Sequence, residues 1–101
     1  MLEFIKEMKI IYRPHLRRRI KERQFPVYFP RKIYNQAKIH YLDTKTNHAI
    51  AVVKLKYAGK SRNLAISYDI ISENIEIITI HPISEKELKN KINTGRWKKY
   101  E

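Results

Sequence analysis

The sequence predicts one α+β domain: a short N-terminal strand and two helices, then an antiparallel four-stranded meander, then a C-terminal helix. Three observations carry this expectation. Apolar residues with a two-residue period fill the middle of the chain between short polar segments, as in half-buried strands. Helix punctuation flanks that region, with Pro14 and Pro30 suited to first turns and Ser84–Glu87 forming a capping box. A chain of 101 residues with 43% hydrophobic side chains builds one core and not two, so residues 1–101 read as a single domain.

Taken in order, Lys9-Ile10-Ile11-Tyr12 reads as a strand that Arg13-Pro14 closes. From 14 to 24 a helix is predicted. Its apolar stripe is only Leu16 and Ile20, and Arg17, Arg18, Arg19, Lys21 and Arg23 cover most of the rest. Residues 25–30, Phe-Pro-Val-Tyr-Phe-Pro, form an elbow rich in chain breakers, and a second helix is predicted from Pro30 to about Lys38. Strands are predicted over 39–43, 49–57, 62–71 and 75–80. With Gly59-Lys60 as a two-residue loop, Tyr57 faces Arg62, Leu55 faces Leu64, Val53 faces Ile66 and Ala51 faces Tyr68, which makes the better core side. Lys54, Lys56, Asn63, Ala65 and Ser67 fall on the other side. A three-residue loop over 72–74 brings Thr79 beside Ser67 and His81 beside Ala65; a slip of one residue would turn His81 to the opposite face. The last helix runs through Leu88 and Ile92 to a left-handed cap at Gly95, leaving 96–101 as a basic, aromatic tail.

Composition narrows the function. Lys and Arg number 22 against 10 Asp and Glu, a formal net charge of +12. Ten basic and three acidic side chains fall in residues 1–35, six and one in 36–68, and six and six in 69–101. Such a field attracts polyanions and, in a domain this small, repels itself. Without Cys there is neither a disulfide framework nor a thiolate metal site. The four His are scattered, with no His-x-x-x-His pair, so no metal or other cofactor is expected. Charges interrupt the first seven residues too often for a secretory leader, and no run is long enough to span a membrane. The stripe of Leu16 and Ile20 is too narrow to bury in lipid, so membrane binding is not expected and a cytoplasmic location is.

The residues with chemical potential sit on two elements. His15, Arg19 and Arg23 recur at four-residue steps along one helix face, an arrangement that suits phosphate contacts and equally suits a plain solvated face. His81 precedes Pro82 at a strand end, where an imidazole serves either proton transfer or a loop carbonyl. These residues, with Glu22, the amphipathic helix, the meander and Ile77-Ile78-Thr79-Ile80-His81-Pro82, resemble a family of small domains grouped with the RelE/ParE-like toxins of toxin–antitoxin modules, BrnT among them. The resemblance covers roughly residues 9–82. The chain departs from it at Gln24 and Pro26, where members carry a Gly and a hydroxyl residue.

What the resemblance implies is a RelE/ParE-like fold and a metal-independent endoribonuclease held in check by an acidic antitoxin-type protein. Cleavage through the RNA 2′-hydroxyl needs a base, an acid and cations for the phosphorane. His15 and His81 are the acid/base candidates, with Lys54 and Arg62 supplying charge at the same centre. Arg18, Arg19, Arg23, Lys56, Arg96 and Lys98 are expected to hold the phosphate backbone. Trp97 and Tyr100, set among basic residues of the tail, are expected to be accessible for base stacking. The same charge also serves a non-catalytic DNA- or RNA-binding accessory or regulatory protein, and a toxin that acts only on protein needs no nuclease residues.

Overall fold

The computed structural model describes residues 8–100, so the interrupted stretch 1–7 and Glu101 lie outside the described residues. Its elements are β1 (Lys9–Tyr12), α1 (Pro14–Arg23), α2 (Phe29–Gln36), β2 (His40–Asp43), β3 (Ala49–Tyr57), β4 (Lys60–Ile71), β5 (Asn74–Ile83), α3 (Glu85–Asn93) and β6 (Trp97–Lys99). The α+β class stands. The sheet is larger than predicted: six strands in the order β1-β5-β4-β3-β2-β6, with β1 parallel to β5 and every other pair antiparallel.

Two strands account for the difference. β1 lies beside β5, pairing Lys9 with Asn74 and Tyr12 with Ile77. Arg13 fastens it, donating from Nε to Glu76 (3.0 Å) and from Nη2 to Asp69 (3.1 Å). The predicted basic tail is β6, an edge strand antiparallel to β2 with Trp97 opposite Asp43. Asp43 is buried and accepts five hydrogen bonds: from the Lys45 and Thr46 amides, Arg96 Nε and Nη2, and Trp97 Nε1. These tertiary bonds, rather than any strand propensity in Trp-Lys-Lys, draw the tail into the sheet.

The meander registers also differ from expectation while preserving its faces. β3 and β4 join through Ala58 and Gly59, both at positive φ (53° and 78°), as a type I′ turn requires. Leu55 therefore faces Arg62 and Val53 faces Leu64, two residues from the predicted register, which leaves every side chain on its expected side. Between β4 and β5 the turn is one residue shorter than predicted, with Ile71 opposite Asn74. An irregularity between Ser67 and Tyr68 then absorbs Ile78 as an extra residue of β5, so that Thr79 does face Ser67 and His81 does face Ala65. α2 begins at Phe29 and ends at Gln36, slightly earlier than the predicted span. Gln24 takes the left-handed conformation (φ 57°) at the end of α1, the geometry a Gly there would adopt without strain.

α1 and α2 cover one face. Leu16, Ile20, Phe25, Phe29 and Ile33 pack there with Ala49, Ala51, Leu64, Ile66, Tyr68, Ile75, Ile77 and Ile80. Each fully buried Leu or Ile contributes about 1.5–3 kcal/mol, so this cluster dominates the stability of the domain. The opposite face is more open. α3 carries the chain across it from β5 to β6 and packs Leu88 against a smaller cluster of Ile50, Ala65, Ile83 and Trp97. The capping box at Ser84 and Glu87 forms as predicted, and Gly95 follows the helix at φ 80°. No helix among the described residues is long and apolar enough to cross a membrane.

Burial alone would raise the Asp43 pKa, but its bonds to Arg96, to the Lys45 and Thr46 amides and to Trp97 bring it down to about 2. The stability it contributes is therefore present above pH 3.8 and lost as pH falls toward about 2. Asp43→Ala leaves two buried or half-buried donors without an acceptor and is expected to destabilise the fold by about 3 kcal/mol, with Trp97 emission moving to the red as β6 frays. Denaturant unfolding monitored by that emission checks this; an unchanged midpoint and spectrum would remove Asp43 as the anchor of the tail.

Candidate nucleic-acid interface

Helical geometry sorts the cations of α1 onto two flanks. Leu16 and Ile20 point into the core, so at 100° per residue His15, Arg19 and Arg23 line one flank, Arg17 and Lys21 line the other, and Arg18 stands at the crest. His15 Nε2 lies 3.3 Å from Arg19 Nη2, the four-residue contact expected from their spacing. Among the described residues no carboxylate lies within ion-pair distance of Arg17, Arg18, Arg19, Lys21 or Arg23.

His81, on β5, lies within range of the charges of Arg23 and Arg19 on α1. β1 ends opposite Ile77, so β5 beyond that point has β4 on one side only, and Pro82 is tolerated because its missing N–H serves no ladder. The strand pleat places His81 on the open face with Thr79 and Ile83. Burial lowers its pKa; the charge of Glu87 opposes this, while Arg23, Lys91 and Arg19 lower it further. A neutral, half-buried imidazole thus stands among three cations from two helices. Arg19 is common to both histidines, bonded to His15 and close enough to act on His81.

The remaining expected residues are distributed differently. Lys54 Nζ lies 3.8 Å from Glu85 Oε1, which also accepts from Asn63 Nδ2 at 2.8 Å. The Asn63 bond, then the charge of Lys54 and Lys89, lower the Glu85 pKa against a small opposing effect of burial. These groups border a shallow depression of about 370 Å³. Lys56 is exposed on the same strand face. Arg62 belongs by register to the side of Leu55 and Leu64, and its Nε donates to the Tyr57 carbonyl (3.0 Å). It does not join His81. Trp97 is a correction: it is 4% exposed, tilted against Tyr41 and under the Lys91 ammonium, so it is not accessible for stacking, while Arg96 is bound to Asp43 with its side chain 32% exposed. Lys98 and Tyr100 are exposed as expected. They lie on or just beyond β6, roughly 19 Å across four strand spacings from β5, and cannot share a phosphate with His81.

Two groups escaped the sequence reading. Glu87 and Lys91 are one helical turn apart on α3 and their charges act on His81, but Glu87 was legible only as a cap and Lys91 only as one of many lysines. His48 Nδ1 lies 2.6 Å from Asp69 Oδ1. Asp69 is itself paired with Arg13, so the His48–Asp69–Arg13 chain ties the β2–β3 loop to the end of β1. His40 is half-buried, its Nδ1 meeting the Tyr68 hydroxyl at 2.6 Å, with Tyr34 edge-on to both rings. Burial lowers the His40 pKa, partly offset by a bond to the Ala37 carbonyl, and pushes the Tyr68 and Tyr34 hydroxyls up. No cluster of metal-ligating side chains occurs among the described residues.

Compared with known proteins, the chain matches no family model, no curated protein and no solved structure.

The unfolded chain binds a proton at His40 and His81 near pH 6.5, and the folded chain only below that. The stability these residues contribute is therefore complete above pH 6.5 and declines as pH falls through the window beneath it. Unfolding free energy measured from pH 7.5 downward is expected to fall in the wild type and to flatten in a His40→Gln, His81→Gln double variant. Identical slopes for the two proteins would place the acid sensitivity elsewhere.

Proposed function

We propose that this protein binds RNA across the His15–Arg19–His81 edge and cleaves it without a metal, in the manner expected of a RelE/ParE-like toxin. One observation carries the proposal: Arg19 is bonded to the exposed His15 on α1, and its charge, with those of Arg23 and Lys91, acts on the half-buried His81 on β5. His81, neutral near pH 7, accepts the proton of a 2′-hydroxyl as that oxygen attacks the adjacent phosphorus. Arg19, Arg23 and Lys91 neutralise the phosphorane, and His15 delivers a proton to the departing 5′-oxygen as the phosphorus–oxygen bond breaks. Lys54 and Arg62 have partners of their own and act at most through the general field. The strand, helix and meander order expected from the family resemblance supports the RelE/ParE-like assignment, and the basic edge suits an acidic antitoxin-type partner.

A second reading, a non-catalytic protein that holds DNA or RNA, is favoured by one feature: among the described residues no hydrogen bond joins His15 to His81, and His15 is bonded to Arg19 instead. Purified protein incubated with RNA in EDTA separates the two. The proposal expects cleavage that drops about 10²–10⁴-fold in His81→Ala. No wild-type cleavage, or equal cleavage by the variant, leaves binding alone. For either reading, Arg19→Ala with Arg23→Ala is expected to reduce the slope of log affinity against log salt by about 1.4 for a single strand. An unchanged slope would return the row to ordinary surface.

A further inference from the structure

The other flank of α1 faces the elbow between the first two helices. Tyr12 fixes that elbow: its hydroxyl donates to the Val27 carbonyl (2.7 Å) and accepts from the Arg31 amide (3.1 Å). Arg17 is held from the helix side, its Nε donating to the Tyr12 carbonyl and its guanidinium 5.9 Å from the centre of the Tyr12 ring. Beyond it stands Tyr28, 54% exposed, set nearly perpendicular to Phe29 at 5.3 Å and with Lys32 Nζ 5.6 Å from its ring centre. Ile10, Tyr12, Arg17, Val27, Tyr28 and Arg31 enclose a depression of about 310 Å³. It adjoins a second of about 460 Å³ that shares Tyr12, Arg17 and Val27 and adds Lys21. Among the described residues no carboxylate lines either one.

We infer that this depression is a nucleotide subsite, in which a base of single-stranded RNA stacks on Tyr28 and its phosphates meet Arg17 and Arg31. The inference rests on the RNA reading above and extends it to a second place on the molecule. Size supports a nucleotide: the space lies at the lower end of the roughly 300–1,000 Å³ typical of small-ligand clefts and suits one base with its sugar better than a helix or strand of a protein. Chemistry supports it too, because an exposed ring fixed edge-on by its neighbour, with guanidinium groups alongside and no competing acid, is the combination that single-strand binders use. Position completes the case. The subsite lies across α1 from the His81 edge, so a strand passing over Arg18 meets cations on both flanks.

The test is equilibrium anisotropy with a fluorescein-labelled 2′-O-methyl oligouridylate long enough to cross α1; its blocked 2′-oxygen prevents cleavage during titration. Tyr28→Leu keeps an apolar side chain but removes the aromatic face. It is expected to weaken binding about tenfold with an unchanged salt slope, whereas Tyr28→Phe stays within about twofold of wild type. Arg17→Ala with Arg31→Ala is expected to lower the salt slope by about 1.4. An oligomer of the same length with abasic positions should bind wild type and Tyr28→Leu alike. If Tyr28→Leu binds the base-containing strand like wild type while Arg19→Ala with Arg23→Ala does not, the subsite is overturned and the RNA reading survives. If wild type binds no oligouridylate, both fall. Should a leucine-containing acidic peptide then bind equally to wild type and Tyr28→Leu, the groove belongs to a protein partner.

Discussion

One extra residue in β5 decides what the open face of the sheet contains. Before Ile78, the odd-numbered Ile75 and Ile77 point toward α1 and α2; after it, Ile80 does, and Thr79, His81 and Ile83 turn the other way. An uninterrupted strand would keep odd residues inward and drive the His81 imidazole into an apolar cluster that offers it no hydrogen-bond partner, at a cost of several kcal/mol. The bulge sacrifices a little ladder regularity and in return places a run of isoleucines in the core on both sides of it. It also sets Thr79 Oγ1 at 2.6 Å from Ser67 Oγ, so the polar residues that emerge on the open face are paired. The neighbourhood of His81, Arg19 and Lys91 exists only in this phase of the strand.

Much of this was legible because it is local. β1, the start of α1, β3 and the capping box of α3 follow from residue type and spacing within a few positions, and the structure has them where the sequence puts them. The adjacency of His81 and Ala65 was also readable, although by a longer turn and no bulge. The Ile77-Ile78 doublet, which breaks a two-residue period, was the signal for the bulge. What could not be read is non-local. That β1 lies parallel to β5 depends on Arg13 reaching Asp69 and Glu76 across more than fifty residues of chain, and no periodicity encodes it. β6 is a three-residue strand of unremarkable propensity whose existence depends on Asp43, a residue that looks from the sequence like an ordinary turn acid. The same carboxylate helps explain why Trp97, which the sequence reading expected to be accessible, is buried.

The charge asymmetry of the sequence becomes a spatial one through the same topology. The near-neutral last third supplies α3, whose Glu85 faces Lys54 and whose Glu87 faces His81. Acidic side chains therefore moderate the centre of the open face, and the α1 cations remain at its edge. Asp69 and Glu76 are likewise consumed by Arg13, and Asp43 by Arg96. Asp43, Asp69 and Glu76 are thus engaged in holding strands together and are not left to neutralise α1, which carries five cations and one acid.

That concentration has a thermodynamic consequence for α1 itself. Only Leu16 and Ile20 anchor the helix, while Arg17 with Lys21 and Arg19 with Arg23 set like charges at four-residue spacing, each pair unfavourable by about 0.2–0.5 kcal/mol. Glu22 is the one acid on the helix, and Lys21 and Arg23 in the last turn gain a little from the helix dipole. A bound polyanion removes the repulsion along both flanks at once, so binding and helix stability are linked through the same side chains. Salt acts on them in opposite senses. Screening relaxes the repulsion in the free protein, and it would remove the counterion-release advantage of any polyanion bound there.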